Sequence, residues 1–502
     1  VLREEKELLR LARSGRGRCR PLVPENYHFQ EALFRDPTKD TAEQKAGVLH
    51  VLKSQDWVVG LVGRAGSGKT TLLKEVRSAL RQRLREVVVV APTAEASRDV
   101  LRREGFRQAD TVKKLLHDET LQKKLRGNVL WVDEAGMLGN EDMGAVLKLA
   151  DKMGAAKVVL GGDPQQIRSV PRGDALRLLE ERGGLRVARL HRIQRQRDPD
   201  LKSAVEAISE GRIREGFAGL DAKGKIVETD SDQRHLELAR AYVATTRQRT
   251  AKGERKNALI VSPTHRECDE ATEAVRALKR AEGLIAKDER TFERLFNLGM
   301  TDAEKARKES YAPGMVVEFA RKAGGFKTRQ RARIMDVSLI DGTPLTMGSD
   351  GLIRPLPLKQ AGAFQVYDTR KIGVAVGDQV RLTGSGKGWN GRSLTSGLTG
   401  EVEGFTASGA IRLKGGQIIP KHFGHVSHGY AITADSAQAK TVDAVYAAIG
   451  ADSFGGADLR RFYVTLSRAR EEAKVFTDDK DALLFAVSRD EPRRFALELE
   501  AE

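Results

Sequence analysis

Short runs of apolar, often β-branched residues alternate along the chain with longer stretches of helical period. Trp57–Val62, Val87–Ala91, Val129–Val132 and Val158–Gly161 are apolar almost throughout, as in strands buried on both faces of a parallel sheet. Between them, Leu72–Arg83 and Glu141–Met153 follow helical spacing. This alternation from Phe29 to about Glu180 predicts a doubly wound α/β domain with right-handed crossovers. A second α/β segment begins near Asp200, with a buried strand at Ala258–Ser262. After Tyr311 the runs shorten. Gly314–Phe319, Asp378–Leu382, Gly400–Gly404 and Ala410–Leu413, set among Gly-rich turns, predict a small β-barrel inserted into the second α/β domain. Strand-like Val442–Ile449 and Arg461–Thr465 then resume the α/β pattern. Residues 1–22 read as a charged, solvated helix followed by a basic linker. There is no internal repeat and no long low-complexity tract.

Charge sharpens this picture. The 502 residues carry 87 Lys plus Arg against 70 Asp plus Glu, a net charge of +17. Such a surplus favours polyanionic partners, because each phosphate neutralised releases counterions. Aromatic residues are only 5% of the chain, so a nucleic-acid binder of this composition would grip phosphates more than it stacks on bases. Cys19 and Cys268 stand far apart, which argues against a disulfide framework and fits a reducing cytoplasm. No apolar run approaches a membrane span, and the N-terminus lacks a signal-peptide core. The chain opens on Val1 rather than Met, so a preceding segment is expected.

Gly63-Arg64-Ala65-Gly66-Ser67-Gly68-Lys69-Thr70 matches G-x-x-x-x-G-K-[ST] in full, between a predicted strand and a predicted helix. The glycines let successive backbone N–H groups point at phosphates. Lys69 would reach the β and γ phosphates, and Thr70 would hold Mg²⁺. A second Gly-Lys, in Gly384-Ser385-Gly386-Lys387-Gly388, lacks the following Ser or Thr and reads as a turn. The apolar run ending in Val132-Asp133-Glu134-Ala135 delivers two acids to the carboxyl edge of the sheet, beside the phosphate loop. Asp133 would bind Mg²⁺ and Glu134 would activate water, since neighbours in an extended segment point different ways.

Further motifs follow in order. They are Thr41-Ala42-Glu43-Gln44, Ala91-Pro92-Thr93-Ala94, Thr111-Val112-Lys113-Lys114, Gly162-Asp163-Pro164-Gln165-Gln166 and Ile193-Gln194-Arg195-Gln196. Beyond these come Ser262-Pro263-Thr264-His265, Tyr430 through Thr441, and Tyr463-Val464-Thr465-Leu466-Ser467-Arg468-Ala469-Arg470. In this order they resemble superfamily 1 helicases of the 5′→3′ branch, in the RecD-like and conjugative-relaxase group, over most of Pro37–Arg470.

The resemblance implies two RecA-like doubly wound P-loop domains, with a small SH3-like β-barrel in the second. Its expected divisions are an N-terminal helix and linker (1–25), a first RecA-like domain (26–199), a second in two parts (200–310 and 424–502), and the β-rich insert (311–423). It implies an ATP-dependent DNA helicase using Mg²⁺. The nucleotide would contact Gln44, Gly63, Ala65, Gly66, Ser67, Gly68, Lys69, Thr70 and Thr71. Lys69, Glu134, Gln166, Arg195 and Arg468 would carry catalysis, with Thr70 and Asp133 on the metal. Single-stranded DNA would meet Pro92, Thr93, Thr111, Thr264, His265, Thr433 and Gln438. Duplex junctions and an associated or covalently linked relaxase are the expected partners.

An RNA motor of the same build, or a non-catalytic single-strand-binding module, are the alternative readings. The sequence departs from the group at Asp435, Ser436 and Ala439, where a His, a Lys or small residue, and a Gly are usual. Asp435 would bring negative charge toward the DNA. No relaxase-like cluster of histidines with a tyrosine is present, His117–Asn128 reads as helical and leaves the strand-separating pin unassigned, and His422, His425 and His428 lack a further soft ligand.

Overall fold

The computed structural model describes residues 1–34, 41–168, 172–338, 340–490 and 494–499. Pro37, where the resemblance begins, lies outside the described residues. The chain divides into two compact units, Val1–Lys279 with Tyr430–Glu502, and Arg280–Gly429.

The first unit holds two parallel sheets. One contains β1 (Val58–Gly63), β2 (Val87–Ala91), β3 (Asp110–Thr111), β4 (Val129–Val132), β5 (Lys157–Gly162) and β6 (Val187–Leu190) in the order β3-β2-β4-β5-β1-β6. Every pairing is parallel, so Gly63, Ala91, Val132 and Gly162 end on one edge. Alternate side chains feed two cores. Val58, Val90, Leu130, Val132 and Val158 enter one, while Val59, Val89, Trp131 and Val159 enter the other. That two-sided burial is why the strands read as unbroken apolar runs.

The helix Leu2–Ser14 departs from the expected solvated tether. Leu8, Leu9, Leu11 and Ala12 are buried in the first of these cores, and Glu5 is buried too, accepting from the N–H groups of Ala496 (3.1 Å) and Leu497 (3.0 Å), so only the remaining charges form an outer face. Each large apolar side chain buried this way contributes about 1.5–3 kcal/mol.

The second sheet takes β7 (Ile226–Glu228) and β8 (Ala258–Ser262) from before the other unit. From after it come β22 (Ala431–Thr433), β23 (Val442–Ala448) and β24 (Ala469–Thr477), and the order is β22-β8-β23-β24-β7. All its pairings are parallel. Arg461–Thr465, expected as a strand, lies within the helix Leu459–Ser467. Phe462, Tyr463, Val464, Thr465 and Leu466 are buried in unbroken succession, so this stretch shows no alternation of buried and exposed positions to reveal a helical period.

The second unit is antiparallel. One sheet joins β9 (Glu289–Asn297), β10 (Val316–Phe319), β11 (Arg331–Val337), β12 (Pro344–Gly348), β13 (Ile353–Pro355) and β14 (Phe364–Ala375). Their order is β13-β12-β11-β10-β14-β9. The other sheet joins β15 (Gln379–Leu382), β18 (Thr399–Phe405), β19 (Ile411–Leu413), β20 (Ile418–Ile419) and β21 (Val426–His428), in the order β20-β19-β18-β15-β21. The second Gly-Lys, expected as a turn, is itself the short strand β16 (Gly386–Lys387), paired with β17 (Ser393–Leu394) in a hairpin. The β-rich unit thus starts earlier than the expected residue 311. β9 pairs with β14 through nine residues, and its charges at 289, 290, 293 and 294 hide an edge strand from pattern reading. Among the described residues, no helix is long and apolar enough to cross a membrane.

Candidate nucleotide site and nucleic-acid track

β1 ends at Gly63, and the helix Lys69–Arg81 follows directly on the loop, with Gly68 at its N-cap. Gly66 and Gly68 have φ of +82° and +90°, which side-chain-bearing residues rarely adopt. A Cβ on Gly66 would also lie 2.4 Å from Cβ of Arg195. Lys69 Nζ donates to the carbonyls of Gly63 (2.6 Å) and Arg64 (3.3 Å), which holds it over the loop. Gln44 is buried, and its Nε2 donates to the Ser67 carbonyl at 2.9 Å. Gln44 therefore braces the loop from beneath.

Asp133 and Glu134 follow β4. Asp133 N–H donates to the Val90 carbonyl (2.8 Å), fixing it at the sheet edge. Asp133 is half-buried, beside Glu134 and Lys69. Burial first, and Glu134 second, push its pKa up, while Lys69 opposes them. Glu134 sits at φ +51°, a left-handed backbone costing about 1–2 kcal/mol for a non-glycine residue. Strain of this kind turns the chain sharply between the two acids.

The segment after β6 and the second lobe of the same unit supply the opposing wall. Arg195 donates to the Ser467 carbonyl (2.6 Å), and buried Gln196 donates to the Ala469 carbonyl (2.9 Å). Arg468 is 1% exposed and donates to the Val464 carbonyl (3.0 Å) and to Ser467 Oγ (2.9 Å). No carboxylate pairs with it among the described residues. Burial lowers the pKa of both guanidiniums; Arg468 is the next cause for Arg195, and Glu134 opposes the shift in each.

A hydrogen-bonded chain crosses between the lobes. Gln438 Nε2 donates to Gln166 Oε1 (3.1 Å), and Gln166 Nε2 donates to Asp163 Oδ2 (3.1 Å). Tyr463 Oη donates to the same Asp163 oxygen (3.0 Å) and accepts from the N–H of Ala65 in the phosphate loop (2.9 Å). Burial, then Asp163, raises the Tyr463 pKa well above its usual range and keeps the proton on the phenol. Lys440 of the second lobe pairs with Glu95 of the first.

The residues present fit a nucleotide triphosphate and its cation. Ser67 Oγ is buried in the loop with no hydrogen-bond partner among the described residues. Arg468 is a buried cation held only by neutral acceptors, an arrangement that an anion would complete. Asp133 is an acid beside the loop whose raised pKa a bound cation would reverse.

The expected track residues lie mainly at carboxyl ends of neighbouring strands. Pro92 and Thr93 follow β2 and Thr111 ends β3, whereas Thr264 and His265 follow β8 and Thr433 ends β22. Thr93 Oγ1 accepts from Ala96 N–H (3.1 Å), Thr111 Oγ1 from Lys114 N–H (3.1 Å), and Thr264 Oγ1 from Glu267 N–H (3.3 Å). His265 is exposed, and Thr433 is buried, donating to Ser436 Oγ (3.2 Å). Gln438, expected on the track, turns instead into the cleft against Gln166. Asp435 is not a bare charge, because Arg461 Nε donates to it at 3.2 Å. His425 faces Glu318 (2.9 Å) and His428 the Gly373 carbonyl (2.9 Å), so these two do not converge. The bridging roles of Tyr463, Gln196 and Lys440 were missed in the sequence. Each lies in a motif, but only the fold shows what it faces.

A family model described as an AAA domain matches residues 39–231. Multifunctional conjugation protein TraI of Escherichia coli (strain K12) is 25% identical over 538 residues, 96% of this chain and 30% of that protein. The ATP-dependent RecD2 DNA helicase of Deinococcus radiodurans is 30% identical over 213 residues, 41% of this chain and 28% of that protein. A solved Pif1 helicase from Bacteroides, in complex with ADP-AlF3 and ssDNA, aligns with 92% of this chain and 96% of that one, at 15% identity and a TM-score of 0.41. The chain thus spans less than a third of the length of these two curated relatives. The sequence matches bear out the resemblance carried by the motifs, to RecD-like and conjugative-relaxase helicases of superfamily 1.

Proposed function

We propose that this chain is an ATP-dependent motor that moves 5′→3′ on single-stranded DNA and separates duplexes. The observation that carries the reading is the cleft, where the phosphate loop, Asp133, Glu134 and Gln166 face Arg468 of the second lobe, with Arg195 at the junction between the lobes. Lys69 and the two arginines would neutralise phosphate charge from opposite sides, so turnover would require the lobes together. Glu134 would take a proton from the attacking water. Thr70 and Asp133 would hold Mg²⁺, which supplies charge neutralisation at the phosphates when bound. Gln44 and the N–H groups of the loop would position the nucleotide.

On the track side, Pro92, Thr93 and Thr111 of one lobe and Thr264, His265 and Thr433 of the other would grip the strand at alternating steps. Likeness to the RecD-like group supports the 5′→3′ direction. Likeness to TraI supports a working association with a relaxase. The sheet of β15 and β18–β21 is our choice for the SH3-like barrel; the two RecA-like domains would be residues 26–199 and, drawn in from the expected bounds by the extent of the β-rich unit, 200–279 with 430–502.

The test is ATP turnover with and without single-stranded DNA, followed by unwinding of duplexes carrying a 5′ or a 3′ tail. DNA-stimulated turnover and unwinding from the 5′ tail alone are expected. Lys69→Ala should abolish turnover and leave strand binding, and Glu134→Gln should bind ATP but scarcely hydrolyse it. Persistent turnover in Lys69→Ala would overturn the assignment.

A further inference from the structure

The loop between β10 and β11 belongs to neither the cleft nor the expected track. From Phe319 to Met335 the sequence holds six Lys or Arg and no Asp or Glu. Arg331 and Arg333, at the base of the hairpin, are paired with Glu318 (2.6 Å) and Glu293 (2.9 Å). Arg321, Lys322, Lys327 and Arg329, nearer its tip, are exposed and make no ion pair or side-chain hydrogen bond among the described residues.

The hairpin is built to hold these cations still. Ala323 and Phe326 exchange backbone hydrogen bonds of 3.2 and 2.8 Å around Gly324 and Gly325, whose φ values are +53° and +82°. Phe326 is buried and stacks on Phe319, with centroids 4.3 Å apart and 12° between planes. Arg329 N–H donates to the Phe319 carbonyl (2.6 Å). Its φ is +65°, a conformation where glycine or asparagine costs far less than arginine. An arginine kept at a strained, exposed position, where its charge meets no partner, points to a ligand outside the chain.

We propose that this hairpin is a second nucleic-acid contact, in which Arg321, Lys322, Lys327 and Arg329 bind the phosphate backbone. The proposal rests on the motor reading only in taking nucleic acid as the polyanion. Carried on one hydrogen-bonded turn, the four cations bind without the backbone having to be ordered first, and they contact phosphates without reading sequence.

The experiment uses the full chain without nucleotide. Fluorescence anisotropy over a salt series compares a blunt duplex with a single strand, for the wild type, Arg329→Gly, and the combined R321Q/K322Q/K327Q variant. Removing one phosphate-binding cation should flatten the slope of log affinity against log salt by about 0.9 on duplex or about 0.7 on single strand. Arg329→Gly separates binding from folding, because it removes charge and backbone strain together. Its thermal midpoint should hold or rise while its slope falls. A change confined to one arm assigns the hairpin to that form of nucleic acid; a change in both assigns it to the shared backbone.

Variant slopes equal to the wild type, in a protein whose ATP turnover is stimulated by DNA, would overturn the hairpin and leave the motor standing. A wild-type chain that binds no nucleic acid would overturn both.

Discussion

Replacing Tyr463 by phenylalanine removes one oxygen from the cleft and strands two partners. The Ala65 N–H loses its acceptor, and an unmet buried donor costs about 1–3 kcal/mol. Asp163 loses one of three close donors but keeps Gln165 N–H (3.0 Å) and Gln166 Nε2 (3.1 Å), so its share is smaller. Together these changes come to about 2–3 kcal/mol. Tyr463 belongs to the second lobe and both partners to the first, so water can satisfy each group once the lobes part. The penalty therefore falls on bringing the lobes together, and each lobe's own folding is spared. At about 1.4 kcal/mol per tenfold, the closed cleft becomes roughly 30- to 150-fold less populated. DNA-stimulated ATP turnover under saturating DNA should drop by that order, with the thermal midpoint nearly unchanged. Turnover within about threefold of the wild type would refute the reasoning, because the hydroxyl would then contribute nothing to closure.

Two further outcomes can be stated briefly. Ala439 has a φ of +69°, which explains why a glycine is usual there; Ala439→Gly relieves about 1–2 kcal/mol of strain against a glycine entropy cost of about 0.5–1 kcal/mol, so the thermal midpoint should rise slightly, and a clear fall would contradict this. In the second unit, burial alone would raise the Glu318 pKa, but His425 and Arg331 outweigh it and bring it to about 2. A depressed carboxylate stabilises the fold above its unfolded value and loses that contribution as pH falls toward its folded one. Glu318→Gln should therefore lower the thermal midpoint at pH 7, with the deficit shrinking from about pH 4.5 downward; a deficit independent of pH would count against the pairing.

The phosphate loop and the acid pair were legible because they combine fixed residue types with an unmistakable local setting, a buried strand turning into a helix. Parallel strands were legible for a related reason: both faces of each are buried, so the run is unbroken. Leu459–Ser467 shows the limit, since a helical stretch buried at successive positions offers the same unbroken run and only its neighbours tell the two apart. β9 failed in the opposite sense, as an edge strand whose charges alternate with few apolar residues. Gln438 illustrates what no pattern carries. Its motif was recognisable, yet whether its amide faces DNA or the nucleotide cleft depends on the turn out of the helix Ala434–Ala437, where Gln438 takes an extended conformation against Gln166.

That turn suggests how the two ends of the molecule's work are joined. Thr433, at the end of β22, is a track candidate, while Gln438 and Lys440 meet Gln166 and Glu95 of the other lobe. Glu95 itself lies two residues beyond Thr93, the track candidate opposite. Cleft and track are therefore separated by only a few residues in each lobe, within short rigid segments rather than long flexible loops. A shift of Gln166 would reach Thr433 through Gln438 and the one-turn helix Ala434–Ala437. Coupling of this kind needs no distant relay, because a parallel sheet gathers both functions at one edge and the long motif runs from one to the other.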